Sequence, residues 1–264
     1  MAFEISRKIS IRRVALALSL CLLSLLVAAE VAKNIGAYDL ARRVGRWSSN
    51  LEITPTDSRD QTLAALSTPP IERFGFSVRL PWQDIDHEMK GRTIDLVHFK
   101  DGVGVLLMDP ADQPQSPADM ARSQPSYRAF LMKLYGPSVL ESNYALLSAS
   151  LDTTPDQARW WKSRTRNVEV FELLAQKSIE MSDCETVRRI SGGAVRGYQF
   201  DDPKNKEIKL ILFDPKDRRY EIRITYKAPI AQSQINAIVA SLYFLPKNAP
   251  ESVPAATVGA KINP

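Results

Sequence analysis

Cysteine and histidine are nearly missing from this chain, with two of each in 264 residues. So few thiols exclude a disulfide-rich scaffold, and so few imidazoles leave little for a transition-metal site. Glycine is sparse too, at 11 residues, which excludes a collagen-like chain, and 44% hydrophobic residues exclude wholesale disorder. The length permits one or two domains, and one domain with appendages is expected once both ends are set aside.

An excess of basic charge is also missing from most of the chain. The net charge of +5 lies entirely in residues 1–46, which hold Arg7, Lys8, Arg12, Arg13, Lys33, Arg42, Arg43 and Arg46 against Glu4, Glu30 and Asp39. The remainder is charge-balanced and lacks the bulk electrostatic attraction that drives phosphate-backbone binding. Nucleic acid is therefore not an expected partner.

What the N-terminus does have is an uncharged run, Val14 to Ala29 (VALALSLCLLSLLVAA), containing seven leucines. Arg7, Lys8, Arg12 and Arg13 precede it, the layout of a basic n-region before an apolar core. As a helix at ~1.5 Å per residue it spans about 24 Å, or about 28 Å with Val31 and Ala32 included. That is a short but workable crossing of a hydrocarbon core about 30 Å thick. Two fates fit it. Val27-Ala28-Ala29 offers small residues for a peptidase cutting before Glu30, which would release a secreted domain. Alternatively residues 14–32 remain as a signal anchor, with 1–13 cytoplasmic and the rest extracytoplasmic, periplasmic in a Gram-negative cell. Retention is the expectation, because VAKNIGAYDLARRVGRW continues as an amphipathic helix.

Residues 33–70 read as a juxtamembrane helix and linker ending in Pro69-Pro70, and 246–264 as a disordered tail rich in Pro and Ala. Residues 71–245 read as the extracytoplasmic domain, with a helical insertion at 118–181. FGFSVRLPW alternates Phe74, Phe76, Val78 and Leu80 against polar positions, which predicts a strand. Asp101-Gly102 between Ile94–Phe99 and Val103–Met108 predicts a hairpin. Thr154-Pro155-Asp156-Gln157 has a capping-box pattern and predicts a helix start. A further helix is expected over Val168–Ile179, with Phe171, Leu174 and Ile179 inward. Four segments joined by short turns, Glu185–Ile190, Val195–Phe200, Ile208–Phe213 and Tyr220–Tyr226, predict an antiparallel meander. Ile235, Ile238, Val239 and Leu242 form the apolar face of a last helix. The expected fold is α+β: an antiparallel sheet of about six or seven strands, helices on one face, and one N-terminal transmembrane helix.

The opening FGFSVRLPW, the meander carrying RGYQF and IKLILFD, and the closing INAIVASLYF are similar to PsbP-like α+β domains. The similarity covers about residues 72–110 and 184–245. In that fold a strand ending in Pro-Trp begins the domain, and a terminal helix runs into a Ser-hydrophobic-aromatic ending. The resemblance implies a binding or assembly module without a catalytic constellation and names no ligand; with the N-terminal leader, the expectation is a component of the cell envelope.

No motif in the residues specifies a reaction. Asp84, Asp86, His87 and Glu88 form an acidic cluster that lacks the spacing and glycine of a calcium loop, and they read as a solvated loop. His98 reads as a strand histidine, and Cys184 as a small buried hydrophobe. Gly192-Gly193 precedes a strand and lacks the Lys-Ser/Thr of a phosphate loop, so it is a turn. The alternative of an exported hydrolase would have to use Asp84, Asp86 or His98. The candidate partner surface is Arg159-Trp160-Trp161-Lys162, where indoles beside basic groups suit a membrane interface or an envelope protein partner. No catalytic, cofactor-binding or metal-binding residue is expected.

Overall fold

The computed structural model describes residues 49–57, 66–110, 142–159, 161–162, 164–192 and 195–245, with 24–32 and isolated positions within 35–43 and 125–137. It is α+β, and its residues fall into two compact units.

One unit contains the larger sheet, built from β1 (Thr56–Asp57), β4 (Ile85–Lys90), β5 (Ile94–Phe99), β6 (Gly104–Met108), β7 (Thr186–Gly192), β8 (Val195–Asp202), β9 (Glu207–Phe213) and β10 (Arg219–Thr225). The strand order is β1-β7-β8-β9-β10-β6-β5-β4. Every pairing is antiparallel except that of β1, which runs parallel to β7 through Thr56↔Arg188 and Asp57↔Arg189. The sheet is thus mixed and eight-stranded. The predicted meander is present as β7 to β10, because polar turns of a few residues permit only antiparallel neighbours.

The expected strand over FGFSVRLPW is shortened to Phe76–Val78. Ile71–Arg73 (β2) and Phe76–Val78 (β3) pair through a two-residue turn at Phe74-Gly75, and β3 also pairs with Tyr243–Phe244 (β11) in a separate three-stranded sheet. Phe74 and Gly75 both have positive φ, 51° and 79°, as a tight hairpin turn requires. The alternation nevertheless selected the inward residues: Phe76, Val78 and Leu80 are buried, with Phe74 packed against them.

One face of the large sheet carries Val97, Val105, Leu107, Leu210, Leu212, Ile222 and Ile224. The last helix, α3 (Gln232–Ser241), lays Ile235 and Ile238 on this face, followed by Leu242, as its spacing predicts. Buried Asp95 on β5 is held by Arg73, whose Nε lies 2.5 Å from Oδ2. Glu221, on the opposite face of β10, is also buried. It accepts from Arg223 Nε at 2.7 Å and Arg219 Nη2 at 3.2 Å.

The turn between β9 and β10 has its own task. Asp217 has a φ of 63° and turns its carboxylate to the start of α1 (Asn143–Asp152). It accepts from Ser142 Oγ at 2.7 Å, from the Tyr144 backbone N–H at 3.2 Å and from the Asn143 backbone N–H. A helix start lacks partners for its first N–H groups, and a carboxylate supplied from this turn meets that need.

The other unit contains most of α1, a 3-10 turn at Pro155–Gln157, and α2 (Arg164–Glu180). The predicted helix start at Thr154 is only that short turn, since Thr154 makes no side-chain cap and donates to Asp156 instead. Along α2 the buried stripe is Val170, Leu174 and Lys177, continued by Met181, whereas Ile179 is 76% exposed. The expectation of an inward Ile179 fails because it lies five residues from Leu174, outside the i, i+3, i+4 repeat. A 3-10 turn at Ser49–Glu52, within the stretch read as linker, buries Leu51 against Ala158, Val170 and Leu174.

Lys177 is fully buried and donates from Nζ to the carbonyls of Leu151 at 2.9 Å and Thr153 at 2.8 Å. These lie at the end of α1, where helix carbonyls lack intrahelical partners. Burial lowers its pKa to about 8, opposed in part by Asp152. The neutral amine still has two N–H groups for two carbonyls. Between pH 8 and 10.5 the unfolded lysine holds a proton that the folded one has released, so stability rises with pH in that window. We expect Lys177 by itself to contribute a gain of about 2 kcal/mol between pH 8 and 10. Burial pushes Cys184 up to about 11 and Tyr220 up to about 12, and these act the other way, above about pH 9 and pH 10 respectively. Urea unfolding of wild type and Lys177→Met across this range checks the assignment. An equal pH slope in both would refute it.

Candidate functional site

The large sheet ends at β4, and there its second face lies open. By register, Met89, Leu96 and Leu106 form one row across β4, β5 and β6, and His87, His98 and Gly104 form the next. Met89 is 60% and Ile94 38% exposed. All six residues of β4 are exposed. The cluster expected as a loop is therefore in part an edge strand: Asp86, His87 and Glu88 lie within it, and Asp84 just before. Charged side chains are a usual guard on such an edge, where unpaired backbone groups would otherwise recruit another chain.

Histidine placement is the least anticipated feature. The only two histidines of the chain are direct cross-strand partners, with ring centroids 4.4 Å apart and planes within 24°. Their alignment depends on a register shift between Ile85 and His87. The Asp86 carboxylate sits 3.2 Å from His87 Nδ1. Beneath His98 lies Gly104, where an added Cβ would come 3.0 Å from Cε1 and 3.1 Å from Nδ1 of the imidazole. The missing side chain gives the ring its place.

In the expected partner surface, Trp161 is 63% exposed, and the Arg159 guanidinium lies 5.8 Å from its ring centre. Arg159 also pairs with Asp156 at 3.7 Å, and Lys162 is exposed. The Arg159 backbone is pinned through its N–H and C=O to the buried side chain of Asn167, at 3.2 and 2.9 Å. Trp160 lies outside the described residues. Cys184 is buried, as expected, and its thiol donates to the Thr186 carbonyl at 3.0 Å. Burial pushes its pKa up to about 11, opposite to the shift that an attacking thiolate needs. Gly192 ends β7, consistent with a turn there, while Gly193 is outside the described residues.

Of the residues a hydrolase would use, Asp86 approaches His87, and His98 stacks on that same ring. Among the described residues no group of three or more His, Cys, Asp or Glu side chains is placed to hold a metal. No described helix is long and apolar enough to cross a membrane. The run Val14–Ala29 lies outside the described residues up to position 23, as do residues 1–13 and the tail 246–264. No protein-family model matches the sequence, and no curated protein or solved structure matches it.

Proposed function

We propose that the protein is a single-pass membrane protein, a non-catalytic binding or assembly component of the cell envelope. Residues 14–32 are its anchor, and the α+β part lies on the extracytoplasmic side. The observation that carries this reading is the uncharged, leucine-rich Val14–Ala29 run behind four basic residues. The helical residues 24–32 are all exposed, Leu25, Leu26 and Val27 by 56–69%, which suits side chains meant for lipid. The likeness to PsbP-like domains points to assembly rather than catalysis, and the charge-balanced body fits a protein partner better than a nucleic acid.

Alkaline extraction of membranes, protease accessibility in opened cells and mass spectrometry of the mature N-terminus test the reading together. Retention in the membrane with an intact N-terminus and an externally cleavable domain is the expected result. A mature protein starting at Glu30 would instead make it a secreted domain.

Exposed Trp161 is the site at which a partner is sought. Trp161→Ala should change stability by no more than about 0.5 kcal/mol, as for most surface positions. Pull-down from detergent extract should lose partners in the Trp160→Ala, Trp161→Ala double variant, and an identical partner set would remove this surface.

A further inference from the structure

We propose that His87 and His98 bind one late first-row divalent transition-metal ion, of the Cu2+, Ni2+ or Zn2+ class, with water completing the shell. The inference rests on the juxtaposition of these two side chains and is independent of where the chain resides. Neutral imidazole nitrogens suit this group of ions, with Cu2+ bound most tightly. Hard cations such as Ca2+ or Mg2+ want six or more oxygens and are poorly served here.

The geometry favours a chelate in three ways. Direct cross-strand partners extend from the same face of the hairpin, and the stacked rings lie 4.4 Å apart. Two nitrogens each ~2.0–2.1 Å from one ion are roughly 3–4 Å apart, which the spacing of the two side chains allows once one ring rotates out of the stack so that the in-plane lone pairs converge. Secondly, only one ring has to move. His98 is wedged over Gly104, while the His87 side chain is 61% exposed and can rotate toward it. Thirdly, Asp86 Oδ2 lies 3.2 Å from His87 Nδ1 and can accept its proton, leaving the Nε2 lone pair for a metal. A carboxylate behind a ligating imidazole fixes its tautomer and orientation in the same way at many metal sites. Asp86 is thus a positioning residue.

The scarcity of histidine makes the test clean, because an untagged chain has no other imidazole to compete. Full-length untagged protein in detergent would be titrated near neutral pH with Cu2+ and with Zn2+, following heat and, for Cu2+, the paramagnetic resonance spectrum. The expected result is one ion per chain and a spectrum split by two equivalent nitrogens. His87→Asn and His98→Asn should each weaken binding about 100-fold, since a tethered second ligand contributes an effect of that order. Asp86→Asn should weaken it about tenfold while the two-nitrogen spectrum persists. His87 is exposed, so His87→Asn should melt at the wild-type temperature without metal and keeps the test valid if His98→Asn misfolds. Equal affinity in wild type and His87→Asn, or a one-nitrogen spectrum in wild type, would overturn the site. Unchanged affinity in Asp86→Asn would remove Asp86 from it.

Discussion

Gly197→Ala should destabilise the sheet-bearing unit by about 3 kcal/mol or more. Gly197 lies in β8 between Ile190 of β7 and Leu212 of β9. A Cβ built there would fall 2.1 Å from the Ile211 carbonyl oxygen and 2.9 Å from Leu212 Cα. Those are backbone atoms of the adjoining strand, which cannot rotate away as a side chain would. The clash forces β8 and β9 apart at the second rung of a ladder running from Arg196↔Phe213 to Asp202↔Glu207. Overpacking in a core typically costs 1–3 kcal/mol, and backbone contact places this substitution at about 3 or above. For a domain of this size that lowers Tm by about 6–12 °C. Gly36→Ala is the comparison, since its added carbon meets nothing within 4 Å and should leave Tm unchanged. If both variants melt alike, strand packing at Gly197 is wrong.

The second large effect belongs to Glu221. Its side chain is 4% exposed between Arg219 and Arg223, while those arginines are 21% and 42% exposed. Removing one member of a fully buried ion pair costs about 3–5 kcal/mol, because its partner is left charged and unsolvated. Here Arg223 can turn toward water and toward Glu207, 3.7 Å from its Nη1. We therefore expect Glu221→Gln to cost about 2–3 kcal/mol. Urea unfolding should show a lower midpoint at unchanged slope. Arg223→Ala should cost less than Glu221→Gln, because Arg219 still faces the carboxylate, and the reverse order would refute this account of the triad.

Elements with one face on the core were legible in the sequence, since burial imposes a period. Tyr220, Ile222 and Ile224 alternate because β10 is a central strand with one side against α3. The Asp101-Gly102 turn was readable because Gly102 must adopt a φ of 83°. β4 was not legible: all six of its residues are exposed, so no apolar alternation marks it. The Phe74-Gly75 turn was hidden for the opposite reason, because alternation of Phe74, Phe76 and Val78 continues straight through it. Lys177 has a charged side chain at a buried helical position, and its use depends on the carbonyls of Leu151 and Thr153, far away in sequence. For the candidate site, His98 was placed correctly in a strand, but its meeting with His87 depends on a bulge that no local pattern announces. Trp161 was readable as an aromatic residue beside basic neighbours, but the approach of the Arg159 guanidinium to its ring was not, because helical spacing puts the two on different faces.

Burial of Cys184 has a practical consequence. A thiol with a pKa of about 11 is ionised in roughly one molecule in ten thousand at neutral pH. Since the thiolate is the form that attacks disulfides and peroxides, this sulfur is chemically quiet toward both. The folded domain can be stored in air without reductant, and covalent dimers through Cys184 would report unfolding rather than assembly.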